Sequence, residues 1–423
     1  MKNSWQNLKH KAAWPPIRSI VNSIGRLSLS WLKKDYPYRK KALRRLVGQS
    51  GFTPKMSEAL LDSIFKQLTA PKLWQLLEAE LGDPLFLDDF RIDKLTGKRI
   101  RARGPGVITH IFSANVPNPA ILSFVFGMLL KSVNLGKVSS KDPGFLDIYL
   151  ESLKETDAEL AERNFLIDPK DREILRKAMS ISDLVVAYGN DATLARIQKE
   201  VSPGVSFMGF GHRMSFGFYL KEALTKKNLN TLAQKTAKDI WLVDRRGCLS
   251  PLAIYVGKGG EVSPGDFSQA LSRELGKLSV EKWKRQGFAI AARKSLLEDY
   301  QRIMKIKTKR PSGGYSGAGE AWTVVCNETI LKIPSFADSR LIHVRAFSDV
   351  KDVLKALSVF GKFLQAVSLE GRSATRGKIA EALSGLGVNR ICRAGSLQLP
   401  PLHWHHDGKF NLASWVRWTD LES

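Results

Sequence analysis

The sequence predicts an α/β protein: a helical N-terminal region followed by parallel sheets built from alternating strands and helices. Three observations carry this prediction. Apolar residues recur every three to four positions through residues 1–95. From Thr96 onward, short β-branched runs alternate with helical stretches, the rhythm of βαβ units. No uninterrupted apolar run reaches the ~18 residues of a membrane span. The longest, residues 120–130, contains Gly127 and stops at Lys131.

The elements follow in order. Ile17, Ile20, Val21, Ile24, Leu27 and Trp31 form one stripe, with Arg18, Asn22, Ser23 and Arg26 between them. Pro15 and Pro16 precede it, where a missing N–H does no harm. A second helix opens at Thr53-Pro54 with the stripe Met56, Leu60, Leu61, Ile64, Phe65 and Leu68, and a third runs from about Lys72 to Leu81, ending at Gly82-Asp83-Pro84. Residues 107–112 read as a strand, 119–130 as an apolar helix, 134–139 as a short strand and 145–160 as a long helix. Residues 184–188 are a buried strand ending at Gly189, and a helix starts at Asp191. Ligand loops are expected at the strand C-termini. After Asp244 a second block begins: a strand at 252–256, a Gly-rich loop, a capped helix from Pro264, a strand at 341–347, a helix at 349–357 and a strand at 364–368. The run 311–319 reads as a flexible connection, because it lacks the GK[ST] ending of a phosphate-binding loop.

At 423 residues the chain has room for two or three domains. The division read from the sequence is a helical region over 1–95, a cofactor-binding domain over 96–243, a catalytic domain over 244–394 and a closing segment over 395–423. Hydrophobic content of 43% and charged content of 25% exclude wholesale disorder. The basic N-terminus lacks an apolar core with a small-residue cleavage site, so no signal peptide is expected. Three widely spaced cysteines suggest reduced thiols in a cytoplasmic compartment.

The net charge of +25 needs a partner or an explanation. Residues 1–50 hold twelve Lys/Arg and one acid, Asp35. Nucleic acid, an anionic membrane, an acidic carrier protein or a phosphate-rich ligand would each suit such a surface. No helix-turn-helix, zinc-finger spacing or RNP-type motif supports specific nucleic-acid binding. Pairing of the apolar stripe with the cluster from Lys33 to Arg45 suggests an arm docked at the inner membrane surface or on an acidic partner. Against this stands the plainer reading, in which the stripe packs on the α/β body.

Cys248, within DRRGCLSP, is a candidate nucleophile at the junction of the two blocks. A soft thiolate attacks thioesters and aldehydes readily, and Arg245 and Arg246 offer nearby positive charge. Cys326, after Val324-Val325, and Cys392, after Arg390-Ile391, read as core. Asn115, in SANVPNPA, would present an amide at a strand end where an oxyanion could be received. LGKVSSKDP ends a short strand with Lys137, Ser139 and Ser140. LHWHHDG holds His403, His405, His406 and Asp407, but adjacent histidines diverge and no Cys or Glu completes a set, so no metal is expected.

Taken in order, these segments resemble the aldehyde dehydrogenase superfamily, and within it the bacterial long-chain acyl-CoA reductases that make fatty aldehyde for luminescence. The resemblance spans roughly residues 96–420. NVP matches the motif donating the oxyanion Asn, which is Asn115. LGKVSSKDP matches the strand whose Lys and Ser hold the adenosine ribose, VVAYGND the turn beside the pyrophosphate at Gly189, and FGHRMSFGF a signature upstream of the nucleophile. RGCLSPLAIYV followed by DFSQAL matches the nucleophile segment.

The resemblance implies an aldehyde-dehydrogenase-like fold, with a Rossmann-type cofactor domain and an α/β catalytic domain. It implies NADPH-dependent reduction of a long-chain acyl-CoA, or another acyl thioester, through a Cys248 thioacyl-enzyme. The same residues would serve an acylating aldehyde dehydrogenase running oxidatively. Partners so implied are an acyl-activating or acyl-transfer protein and further copies of the chain. The chain also departs from the family pattern. Hydrolytic members carry a Glu before the Cys, whereas residues 208–215 contain no acid and only His212 as a titratable base. That loss suits an acyl intermediate that is reduced rather than hydrolysed, with His212 a candidate proton donor or acceptor. Lys131-Ser132 stands where Gly-Asn is usual. Ser140 and Lys141 stand where NAD-preferring members have Glu, which removes repulsion of a 2′-phosphate and adds a cation.

Overall fold

The computed structural model describes residues 13–113, 116–139, 144–278, 314–316, 322–327 and 341–422. The chain forms two compact units. The first comprises Met1–Ser50, Ser57–His212 and Pro401–Ser423, the second Gly51–Met56 and Arg213–Pro400. The glycine-rich run 311–319 lies outside the described residues except for Gly314–Ser316, which form a strand.

Four helices come first: α1 (Ile17–Leu32), α2 (Pro37–Arg45), α3 (Pro54–Phe65) and α4 (Ala70–Leu81). Short strands β1 (Arg91–Ile92) and β2 (Arg99–Arg103) lead into the alternating part. This runs β3 (Val107–Ile111), α5 (Asn118–Leu129), β4 (Val133–Lys137), α6 (Leu146–Thr156), α7 (Ala158–Ala161), β5 (Asn164–Ile167), α8 (Arg172–Ile181), β6 (Leu184–Tyr188), α9 (Asp191–Glu200) and β7 (Ser206–Phe210). The five strands make one parallel sheet in the order β5-β4-β3-β6-β7. Both faces of such a sheet must be covered, which is why Val107, Ile108, Leu135, Val185 and Val186 form near-continuous apolar runs.

In the second unit come β8 (Met214–Tyr219), α10 (Leu229–Trp241), β9 (Pro251–Gly257), α11 (Pro264–Leu278), β10 (Gly314–Ser316), β11 (Thr323–Asn327), β12 (Leu341–Phe347), α12 (Val350–Ser358), β13 (Leu364–Glu370), α13 (Ser373–Gly385) and β14 (Arg390–Cys392). They form a seven-stranded sheet, β10-β11-β12-β9-β8-β13-β14, parallel except for the β10–β11 pair. Because β8 lies between β9 and β13, the second unit begins at Arg213 rather than at 244. The final strand, β15 (Arg417–Leu421), joins β1 and β2 in a three-stranded antiparallel ribbon of the first unit. No helix among the described residues is long and apolar enough to cross a membrane.

The α1 stripe is core. Ile17, Ile20, Val21, Ile24, Leu27 and Trp31 are each at most 1% exposed. Trp31 stacks on Phe65 at 4.5 Å and donates its indole N–H to Ser152 Oγ. Of the two readings of this stripe, the structure bears out the plainer one: the apolar face is covered by protein. Three of the seven cations from Lys33 to Arg45 are tied down as well. On α6 the acids Asp147, Glu151 and Glu155 recur every fourth residue and receive Arg45, Lys41 and the Tyr38 hydroxyl. Arg39 is buried, donating to Trp31 O at 2.9 Å and to Asp62 at 2.7 Å.

Candidate active site

In a doubly wound sheet, ligands gather where the strand order reverses. In the first unit that point lies between β3 and β6. Asn115, which falls between β3 and α5 in the sequence, lies outside the described residues, as do Ser140 and Lys141 after β4. Gly189 follows β6, its N–H donating to Phe210 O at 3.2 Å. Asn190 then caps α9, its side chain accepting from Thr193 N–H at 2.8 Å. A Cβ on Gly189 would lie 3.3 Å from Thr193 Cγ2, so the turn hugs the helix that follows.

Lys137 is the last residue of β4, and Ser139 follows it, partly exposed. Val133 and Leu135, four and two positions earlier, pack with Ile174, Leu175 and Ala178 of α8. Strand alternation therefore turns Lys137 toward the same face. Burial, then the charges of Arg196 on α9 and Arg172 on α8, push its ammonium below the ordinary lysine value. Three cations from three elements thus converge at one strand end. On the opposite face the next residue inward is Gly136, where a Cβ would meet the Phe124 ring at 2.5 Å. Lys131 takes the left-handed conformation (φ +59°) that the usual glycine would adopt freely, and its ammonium pairs with Asp88 at 2.5 Å.

Aromatic rings line the strand ends. Phe112 stacks with Tyr188 at 5.6 Å, Tyr188 with Phe210 at 4.8 Å, and Phe210 with His406 at 4.6 Å, while Trp404 tilts against His406 at 5.0 Å. His405 packs edge-on against Phe410. His405 and His406 thus serve ring packing, and the described residues hold no group of His, Cys, Asp and Glu able to bind a metal. His212 is exposed in the loop after β7, its N–H 3.4 Å from Asp191 Oδ1.

In the second unit, α10 runs into a turn where Val243, Asp244 and Arg245 have φ of 57°, 51° and 59°. Three successive left-handed non-glycine residues are costly and persist only when neighbours enforce them. Arg245 does so by donating to Leu341 O at 2.8 Å. Arg246 lies over the Phe52 ring at 4.9 Å and 3.6 Å from Asp244 Oδ2. Cys248 is then exposed, while Cys326 is buried and Cys392 half-buried. Burial pushes the Cys392 thiol up to about 11. Cys248 O accepts from Ser215 Oγ at 2.8 Å, Gly247 O accepts from Ser250 N–H at 3.0 Å, and Ser250 Oγ accepts from Gln398 Nε2 at 2.8 Å.

Residues 12–418 match the family model described as acyl-CoA reductase (LuxC). The chain belongs to the acyl-CoA reductase family. Relatives of this acyl-CoA reductase include a long-chain acyl-protein thioester reductase of Aliivibrio fischeri, 24% identical over 96% of this chain and 82% of that protein. An oxidoreductase from Marinobacter aquaeolei superposes with a TM-score of 0.73 at 14% identity, covering 97% and 87% of the two chains. An NAD-dependent benzaldehyde dehydrogenase from Corynebacterium glutamicum gives 0.67 at 13%, covering 98% and 88%. These likenesses establish the aldehyde-dehydrogenase fold expected from the sequence.

Sequence reasoning missed Arg172, Arg196, Ser215 and Gln398. Ser215 lies inside the FGHRMSFGF signature, but only the pairing of β8 with β9 shows that it reaches Cys248. Gln398 lies 148 residues from Ser250, so no local pattern links the two.

Proposed function

We propose that this chain reduces long-chain acyl thioesters to aldehydes with NADPH, through a thioester on Cys248. The observation that carries the reading is the exposed thiol on a strained, anchored turn, in a chain whose other two thiols are withdrawn. The names of its relatives supply the substrate class. Cys248 Sγ bonds to the acyl carbonyl carbon, the carrier C–S bond breaks, and the carrier leaves as a thiol after taking a proton. Asn115 is assigned to the oxyanion and His212 to proton transfer.

The residues present suit a phosphorylated dinucleotide. Lys137, Arg172 and Arg196 supply positive charge at the end of β4, and Ser139, Ser140 and Lys141 add donors without a carboxylate. Gly189 and the first turn of α9 suit the pyrophosphate. When bound, the reduced nicotinamide supplies the hydride that converts the enzyme thioester to aldehyde and free Cys248.

Incubation with labelled acyl-CoA and peptide mass analysis tests this. The acyl mass should appear on Cys248, and Cys248→Ser should abolish aldehyde formation while Cys326→Ala and Cys392→Ala retain it. Normal turnover by the Cys248 variant would sink the reading.

A further inference from the structure

Asp239 is an odd residue for its place. It lies in the last turn of α10, where the helix dipole disfavours negative charge, and it is 1% exposed. A carboxylate is buried there only because donors meet it. Oδ2 accepts from Gly395 N–H at 2.6 Å and Oδ1 from Leu397 N–H at 2.9 Å. Both donors belong to the strap at residues 395–398, more than 150 positions along the chain.

The strap leads to the nucleophile. Gln398 Nε2 donates to the Asp239 backbone O at 3.1 Å and to Ser250 Oγ at 2.8 Å. A Cβ on Gly247 would lie 3.6 Å from Gln398 Oε1, so the side chain packs directly on the turn that carries Cys248. Ser250 N–H closes that turn onto Gly247 O. The Asp239 carboxylate thus holds the backbone of Gly395 and Leu397, and the adjoining Gln398 amide ties the Asp239 main-chain O to Ser250, whose N–H closes onto Gly247, the residue preceding the thiol.

We propose that Asp239 and Gln398 are positioning residues for Cys248: the carboxylate fixes the strap, and the Gln398 amide transmits that register to the thiol-bearing turn. For catalysis this rests on the assignment of Cys248 as the acylation site. Neither residue touches the substrate in this reading. Loosening either lets the Cys248 turn relax, which slows attack and leaves acyl-CoA binding alone.

The test uses full-length Asp239→Asn, Gln398→Ala and the double variant, with folding checked by circular dichroism. Asp239→Asn removes one acceptor from two donors, and Gln398→Ala keeps the strap but removes the link. Each should slow single-turnover acylation roughly tenfold with unchanged KM, the scale expected of a slightly misplaced reacting group. The double variant should be no slower than Asp239→Asn, because one path cannot be cut twice. Iodoacetamide labelling of Cys248, which needs no acyl substrate, should change in the same variants. If folded Gln398→Ala acylates and labels at the wild-type rate, the proposal is overturned. It is equally overturned if acylation falls only in step with folded protein. Wild type that labels normally, responds to both substitutions, yet never acquires an acyl group would reject the reductase reading and leave the positioning of the turn standing.

Discussion

At residue 131 a lysine holds a backbone conformation that costs a side-chain-bearing residue about 1 kcal/mol. Its ion pair with Asp88, which also accepts from Ile17 N–H, offsets that cost by tying the start of β4 to the start of α1. Lys131→Ala keeps the strain and loses the pair, whereas Lys131→Gly loses both. Urea unfolding should therefore find the Gly variant more stable than the Ala variant by about 1 kcal/mol. Cofactor choice belongs to the same scale. Hydrogen bonds to charged groups contribute on the order of 1.5–3 kcal/mol, so NADPH should be preferred over NADH by roughly tenfold or more in kcat/KM. Lys137→Gln should erode that preference most and the exposed Arg196→Gln less, while Ser140→Glu should favour NADH. Equal binding of 2′,5′-ADP and 5′-AMP by the wild type would refute it.

Among the elements, the N-terminal helices carry the clearest lesson. Their sequence pattern, an apolar stripe beside clustered cations, is common to interfacial helices and to helices packed on an acidic neighbour. The decisive feature is the acidic row of α6, roughly a hundred residues away, which periodicity in α1 and α2 does not report. Deleting residues 1–50 should expose the partners of Trp31 and destabilise the fold, seen as early thermal unfolding. Full-length protein should not co-sediment with anionic vesicles through this stripe; binding lost on Ile20→Ser without loss of fold would contradict the packing. Arg39→Met removes donors to both Trp31 O and Asp62, and should cost about 2–3 kcal/mol in denaturant unfolding.

For the molecule as a whole, buried His110 and Asp239 pull stability in opposite directions with pH. His110 is buried between Ser123 and Asn134, and burial lowers it from 6.5 to about 4. Its neutral form is favoured in the fold, so this contribution is fully present above the unfolded value and lost as pH falls toward 4, about 3 kcal/mol in all. Burial raises Asp239 from 3.8 to about 7, against the pull of its backbone donors and Arg390. Its contribution has the opposite sign, complete below 3.8 and lost as pH rises through 7. Asp239→Asn should steepen the loss of stability on acidification between pH 6.5 and 4, because the opposing trend is gone. Urea midpoints of both proteins across that range measure it; parallel curves would show that Asp239 does not titrate there.

The sequence by itself determined the fold class, the order of most elements and the family. The strands read at 107–112 and 184–188, the helices after them and the candidacy of Cys248 follow from local pattern, because periodicity and turn chemistry act within a few residues; the exposure of Cys248 is read from the fold. Tertiary structure decided everything that depends on partners distant in the chain. The antiparallel ribbon of β1, β2 and β15 joins strands some three hundred residues apart. β8 belongs to the seven-stranded sheet because its pairing edges are β9 and β13. The α1 stripe became core because protein, not lipid, covers it. Asp239 and Gln398 look like ordinary surface-type residues in sequence, and only the fold brings them to one turn. Burial and long-range hydrogen bonding are properties of the assembled chain, so no window of local sequence contains them.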